Sequence, residues 1–172
     1  MELDEAIEVV DYDPRWPHRY RLDARELEVA LRSRIGSLEH FGSTSVPLMS
    51  AKPIIDILLA PVRWPMVDGD RYALESLGYE YLGEAGVAGR EHFRRRGTHA
   101  TNVAVVEWKG QLWRDNLMLR DYLRANPSIA AGYSRAKKEA WSGGARTLLA
   151  YSAAKAAKMT ALVESARQWS AG

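Results

Sequence analysis

The chain has 172 residues, 47% hydrophobic and 27% charged, a length and balance that fit one globular domain and exclude a disordered or fibrous chain. It has no cysteine and a formal net charge of only +2. Disulfides, thiolate metal sites and a cysteine nucleophile are thereby excluded, and any preference for anions must come from where charges sit rather than from their number. No apolar run approaches the roughly 20 residues of a membrane helix, and the acidic start Met1-Glu2-Leu3-Asp4-Glu5 is no signal peptide, so a cytoplasmic, membrane-free protein is expected.

Residues 6–12 read as a short strand or an extended arm. Asp13-Pro14-Arg15-Trp16-Pro17 has the chemistry of a helix start, since a proline there loses no needed backbone donor. Tyr20, Ala24, Leu27, Ala30 and Leu31 continue with helical spacing to about Ser33. A short strand near 35–41 then leads into the turn Gly42-Ser43-Thr44-Ser45.

The run from Pro53 to Ala60 is almost entirely aliphatic, the pattern of a strand covered on both faces. Asp56 interrupts it, and a buried acid is costly unless it is paired, coordinated or at an opening. A helix near 66–77 stops at Gly78, and 79–89 is a strand start followed by a glycine-rich loop. Strands over 91–96 and 101–108 form an expected hairpin. Helices follow over about 111–125, 127–142 and 146–170, broken at Asn126-Pro127 and Gly143-Gly144. Strands first and helices last predict an α+β domain spanning 1–172, a mixed sheet flanked by helices with a helical C-terminal third.

One constellation is the turn Gly42-Ser43 placed before a strand that carries Asp56. A small donor-rich turn lets backbone amides approach phosphate, and a carboxylate can hold Mg²⁺ against it. A turn beside one structural aspartate is an equal alternative on these residues alone.

The runs His40-Phe41-Gly42-Ser43-Thr44-Ser45-Val46-Pro47 and Ala51-Lys52-Pro53-Ile54-Ile55-Asp56-Ile57 resemble the core motif of the GrpB family. Val10 to Pro17 resembles its opening signature and Leu119 to Pro127 its later helix motif. Tyr133 with Lys137, and Tyr151 with Lys155, sit where the family shows tyrosine–lysine pairs. The resemblance covers nearly the whole chain. It implies a nucleotidyltransferase-like fold, in a domain also found fused to dephospho-CoA kinase. Nucleotidyltransferases place a second acid two residues after the first, on the same strand face; here Leu58 stands there, so Asp56 is left as the one candidate ligand for Mg²⁺. Asn102 stands where the family tends to have histidine, and Leu48 where it has glycine. Glu107, at the end of the 101–107 alternation, falls on the face opposite Asn102 and reads as a solvent-side strand end.

The second constellation is basic. Lys52, Arg94 and Arg120 are the cations expected to face the site, with fork-shaped arginine donors suited to phosphate or carboxylate. Arg94, Arg95 and Arg96 must alternate faces, so one at least points elsewhere. His40 precedes the turn as a proton-transfer candidate or as a packed polar residue. His18, His92 and His99 lack metal-ligand spacing, which excludes zinc; nothing calls for haem. Trp16, Trp113 and Tyr122 read as core.

The expected catalytic set is therefore Asp56, His40 and Lys52, and the expected substrate-binding set Gly42, Ser43, Thr44, Ser45, Asn102, Arg94 and Arg120. The ligand is a nucleotide or other anionic small molecule rather than a nucleic acid. Three functions stay open: nucleotidyl transfer with a depleted metal site, metal-independent acid–base chemistry in the same pocket, or a non-catalytic accessory domain linked to coenzyme A metabolism. The alanines of the last helix (Ala150, Ala153, Ala154, Ala157, Ala161) are expected to pack within the chain, with a homodimer as the alternative.

Overall fold

The most aliphatic run of the chain becomes the centre of the sheet. A computed structural model describes residues 5–171; the acidic start read at Met1 to Asp4 lies outside the described residues. Strands β1 (Ile35–Phe41), β2 (Ile55–Pro61), β3 (Glu80–Tyr81), β4 (Glu91–Arg95) and β5 (Thr101–Val105) form one sheet in the order β1-β2-β5-β4-β3. The pair β2–β5 is parallel and the other three are antiparallel, so the sheet is mixed, as expected.

Helices cover both faces, which is why β2 is apolar on both sides. Helix α1 (Trp16–Leu31) and helix α2 (Asp68–Ser76) pack Leu27, Leu31 and Leu74 against Ile55, Ile57, Leu59, Phe93, Val103 and Val105. The other face carries Leu58, Ala60, Ala104 and Val106 beneath Trp113 of helix α3 (Gln111–Ala125). Helices α4 (Pro127–Ser142) and α5 (Leu148–Ala171) join α3 around Val46, Met49, Tyr133 and Leu162. Trp16, Trp113 and Tyr122 are buried. No helix among the described residues is long and apolar enough to cross a membrane.

The segment 6–12 is an arm rather than a strand. It makes only isolated bridges, Ala6 to Thr147 and Val10 to Ala51, and Trp141 Nε1 donates to the Ile7 carbonyl at 2.9 Å, so the arm straps the C-terminal helices to the sheet. The strand expected over 101–108 ends at Val105, because Gly110 N–H turns back to the Glu107 carbonyl at 3.0 Å. The alanines expected to pack inside the chain do not: Ala150, Ala153, Ala154, Ala157 and Ala161 are exposed. Helix α5 instead buries Tyr151, Leu162 and Ala166, and these five alanines form a solvent-facing stripe.

Two local features fix the loop between β1 and β2. Gly42 has φ +69° and ψ −171°, a region that residues with a Cβ avoid. A Cβ there would lie 2.6 Å from Asp56 Oδ2. The close approach sets Ser43 beside Asp56. His40, two residues earlier, points to the α1 face: its ring stacks on Tyr20 with centroids 4.8 Å apart, and Nε2 meets Thr44 Oγ1 at 3.0 Å. Burial, together with the nearby Arg124 and Arg120, pushes its pKa down to about 4.

Two outcomes follow from this packing. Gly42→Ala is expected to destabilise the fold by about 2 kcal/mol or more, measured by urea unfolding. His40 stays neutral in the fold but takes up a proton near pH 6.5 when unfolded. Its contribution is therefore complete above about pH 6.5 and is lost as pH falls toward 4, a change of up to about 3 kcal/mol. His40→Gln should flatten the fall in Tm over that window, as read by circular dichroism.

Candidate functional site

Residues on one face of the sheet line up across it in register: Phe41 beside Asp56, Asp56 beside Asn102, and Asn102 beside Arg94. Side chains paired in this way project to the same side. Asn102 Nδ2 donates to Asp56 Oδ1 at 2.8 Å, while Asn102 Oδ1 is buried without a partner among the described residues. Leu58 shares this face but is fully buried under Trp113 and Leu112. The place of a second acid on this strand is thus filled by core.

Helices α4 and α5 bring lysines to the turn. Lys137 is almost completely buried and its Nζ donates to Ser43 Oγ at 2.9 Å. Its ammonium lies 4.7 Å from the Tyr133 ring centroid, and Lys155 lies 4.8 Å from that of Tyr151, with Lys52 on the same ring at 6.0 Å. Burial first, and Lys155 second, pull the Lys137 pKa down to about 7 against the attraction of Asp56. Burial and Lys52 pull Lys155 down to about 8. Arg90, from the glycine-rich loop before β4, also feels Asp56 and donates to the carbonyls of Glu84 and Ala85.

Asp56 itself is pushed up by burial, opposed by the Asn102 hydrogen bond and by Lys52, Lys155 and Arg90. Among the described residues, none of Lys52, Arg90, Lys137 and Lys155 forms an ion pair with a carboxylate within 4.0 Å. Four cationic side chains therefore surround one carboxyl group. Two of them, Arg90 and Lys155, line a cavity of about 400 Å³ together with Gly42, Ser43, Asp56 and the apolar Leu112, Leu119, Met159 and Val163. Lys137 reaches it through Ser43, and the other lining acid, Asp115, is paired with Arg167 at 3.1 Å.

The other sequence-selected residues are distributed differently. Arg120 lines the cavity but is held by Glu39 at 2.7 Å and Asp121 at 2.8 Å, so its charge is already compensated. Arg94, on the Asp56 face, is clasped by Glu5 and opens with Lys52 onto a separate hollow under the arm. Arg95 points to the opposite face, where it meets Asp23 and Glu26. Thr44 bonds His40, and Ser45 Oγ caps back on the Gly42 carbonyl at 2.7 Å; both hold the turn, and with His40 they lie away from the cavity that Ser43 borders. Among the described residues, no group of three or more His, Asp or Glu side chains could hold a metal ion.

Three residues outside the selected set gather here: Arg90 and Lys155 line the cavity, and Lys137 bonds its lining residue Ser43. Two of them carried a signal in the sequence. Tyr133-x-x-x-Lys137 and Tyr151-x-x-x-Lys155 repeat one spacing, and i,i+4 puts each lysine over its tyrosine on one helix face. Arg90 belongs to the arginine-rich stretch with Arg94, Arg95 and Arg96, but only the folded loop turns it toward Asp56.

Comparison with known proteins agrees with this architecture. The crystal structure of the conserved protein GrpB from Enterococcus faecalis superimposes with a TM-score of 0.86 at 32% identity, over 94% of this chain and 99% of that one. A structure of the Cid1 poly(U) polymerase with MgGTP bound gives a TM-score of 0.51 at 14% identity, over 78% of this chain and 44% of that one; it establishes a shared nucleotidyltransferase-like fold. The glutamate-rich protein GrpB of Alkalihalophilus pseudofirmus is 30% identical over 76% of this chain and 78% of its own. The UPF0157 proteins YqkA of Bacillus subtilis and PA4798 of Pseudomonas aeruginosa are 31% and 36% identical. The chain spans only 49% and 57% of their lengths. With residues 6–165 matching the family's sequence profile, the chain belongs to the GrpB protein family.

Proposed function

We propose that this protein binds a nucleotide, or another phosphate-bearing small molecule, in the cavity between the Gly42-Ser43 turn, Asp56 and helices α3 and α5. The observation that carries this reading is the set of Lys52, Arg90, Lys137 and Lys155 around a single carboxyl group, without compensating ion pairs among the described residues. Gathering like charges in a partly buried place costs free energy, and a bound polyanion removes that cost. Ser43 Oγ and the lysine ammoniums supply charge-assisted hydrogen bonds to phosphate oxygens, while the apolar end of the cavity receives an uncharged part of the ligand. The fold shared with a poly(U) polymerase solved with MgGTP agrees in kind, but the reading rests on this chain's own residues.

A second reading is metal-independent acid–base chemistry on the bound molecule. Lys137 favours it, because burial brings the pKa of its ammonium to about 7 while its Nζ stays 2.9 Å from Ser43 Oγ. Such a group exchanges protons readily at neutral pH. Turnover that persists in excess EDTA would support this reading; in its absence the site is a binding site only.

Isothermal titration with ATP, GTP, CTP and UTP at pH 7 tests the main proposal. At least one nucleotide is expected to bind with one-to-one stoichiometry. Lys155→Met should weaken it by roughly 10- to 100-fold, the worth of one charged hydrogen bond. His40→Gln should leave Kd within about twofold, since His40 lies on the other face. Binding to none of the four, or equal binding by Lys155→Met, would contradict the proposal.

A further inference from the structure

A resident Mg²⁺ does not suit this donor set. Magnesium takes oxygen ligands in a near-octahedral shell, usually with one or two carboxylates. Among the described residues the cavity is lined by two acids, Asp56 and Asp115. Asp115 is paired with Arg167 at 3.1 Å, and Asp56, with one oxygen already accepting the Asn102 amide, has Lys52, Lys155 and Arg90 as neighbours. Leu58, fully buried, fills the position from which a second carboxylate would reach. A divalent cation here would meet more repulsion than attraction.

We infer, resting on the anion-binding reading above, that the Lys137 and Lys155 ammoniums stand in for metal ions: the site takes a di- or triphosphate without Mg²⁺ and takes up protons from solvent as it loads. The geometry for this is a pair of lysines from two helices converging on one turn. Lys137 faces Ser43, Asp56 and Lys155, with the Tyr133 ring beneath it. Lys155 faces Lys52, Asp56, Lys137 and the Tyr151 ring. Arg90 and His92 complete the charged and titratable surroundings on the β4 side, and burial holds His92 neutral at neutral pH, its pKa lowered to about 4.

The direction of the proton linkage follows from these surroundings. In the free protein Lys137 and Lys155 give up their protons near pH 7 and pH 8. A polyphosphate beside them returns both toward the ordinary lysine value near 10.4. Binding therefore favours the protonated lysines. It is strongest below about pH 7 and weakens as pH rises through the two values, by about tenfold or more between pH 7 and pH 9. Arginine keeps its charge throughout this range, so Lys137→Arg and Lys155→Arg separate charge from titration.

The test is calorimetric titration of ATP and of inorganic tripolyphosphate into the full chain, in EDTA and in excess Mg²⁺. Each is run in buffers of high and low ionisation enthalpy at pH 7, 8 and 9. Binding in EDTA is expected, weakened by Mg²⁺ because the ion lowers the negative charge of the ligand. The observed heat should depend on the buffer in the sense of net proton uptake. Lys155→Arg, at a half-buried position that tolerates change better than Lys137, should still bind but lose part of the pH dependence. Binding that requires Mg²⁺, or heats independent of the buffer, would overturn the inference and leave the anion-binding reading in place. No binding of either probe under any condition would overturn both.

Discussion

The arrangement depends on one close approach, that of the Gly42 backbone to the Asp56 carboxyl group. With no side chain at 42, the turn after β1 lies against the next strand. The positive φ of Gly42 then carries Ser43 over the edge of the sheet, next to Asp56. A larger residue would push the two apart, and the lysines of α4 and α5 would meet no common target. Each later feature of the site, from the Lys137–Ser43 hydrogen bond to the opening of the cavity, presupposes that contact.

Charge explains why the site is unfinished without a ligand. Much of the molecule's charge is neutralised locally: Arg34 pairs with Asp70, Arg71 with Glu91, Arg95 with Asp23 and Arg120 with Glu39. Among the described residues a buried exception sits where the chain gathers Lys52, Arg90, Lys137 and Lys155 around Asp56. Stability alone gives no reason to bury lysines against one another. A group whose charged form is disfavoured by burial in a cleft marks a functional site more often than a structural one. The same logic separates the two histidine environments. His40 is stacked and hydrogen-bonded on the far face, a piece of core that happens to be polar, whereas His92 lies among the cations.

Much of the fold was legible from periodicity and punctuation. The aliphatic run holding Asp56 could only be a central strand, and Asn126-Pro127 and Gly143-Gly144 separate helices where backbone chemistry requires it. The extended arm and the alanine stripe were less readable. The apolar residues near 6–12 fit a strand as well as a strap, and alanine, small and weakly apolar, is at home on either side of a helix. For the site, the turn and its acid stood out because a buried aspartate needs an explanation. Arg120 does line the cavity, but a sequence does not reveal that Glu39 already holds it, nor that Glu5 holds Arg94. Lys137 and Lys155 lie about 95 and 110 residues downstream of the turn, and convergence over such a distance is a product of tertiary packing.

The most direct measurement is a crystal structure of the chain grown with ATP in the presence of EDTA. The account predicts phosphate density within hydrogen-bonding distance of Ser43 Oγ, Lys137 Nζ and Lys155 Nζ, on the Asp56 side of the cavity. Saturating ATP with the cavity empty and Lys137 still bonded to Ser43, or ATP bound on another surface, would contradict it.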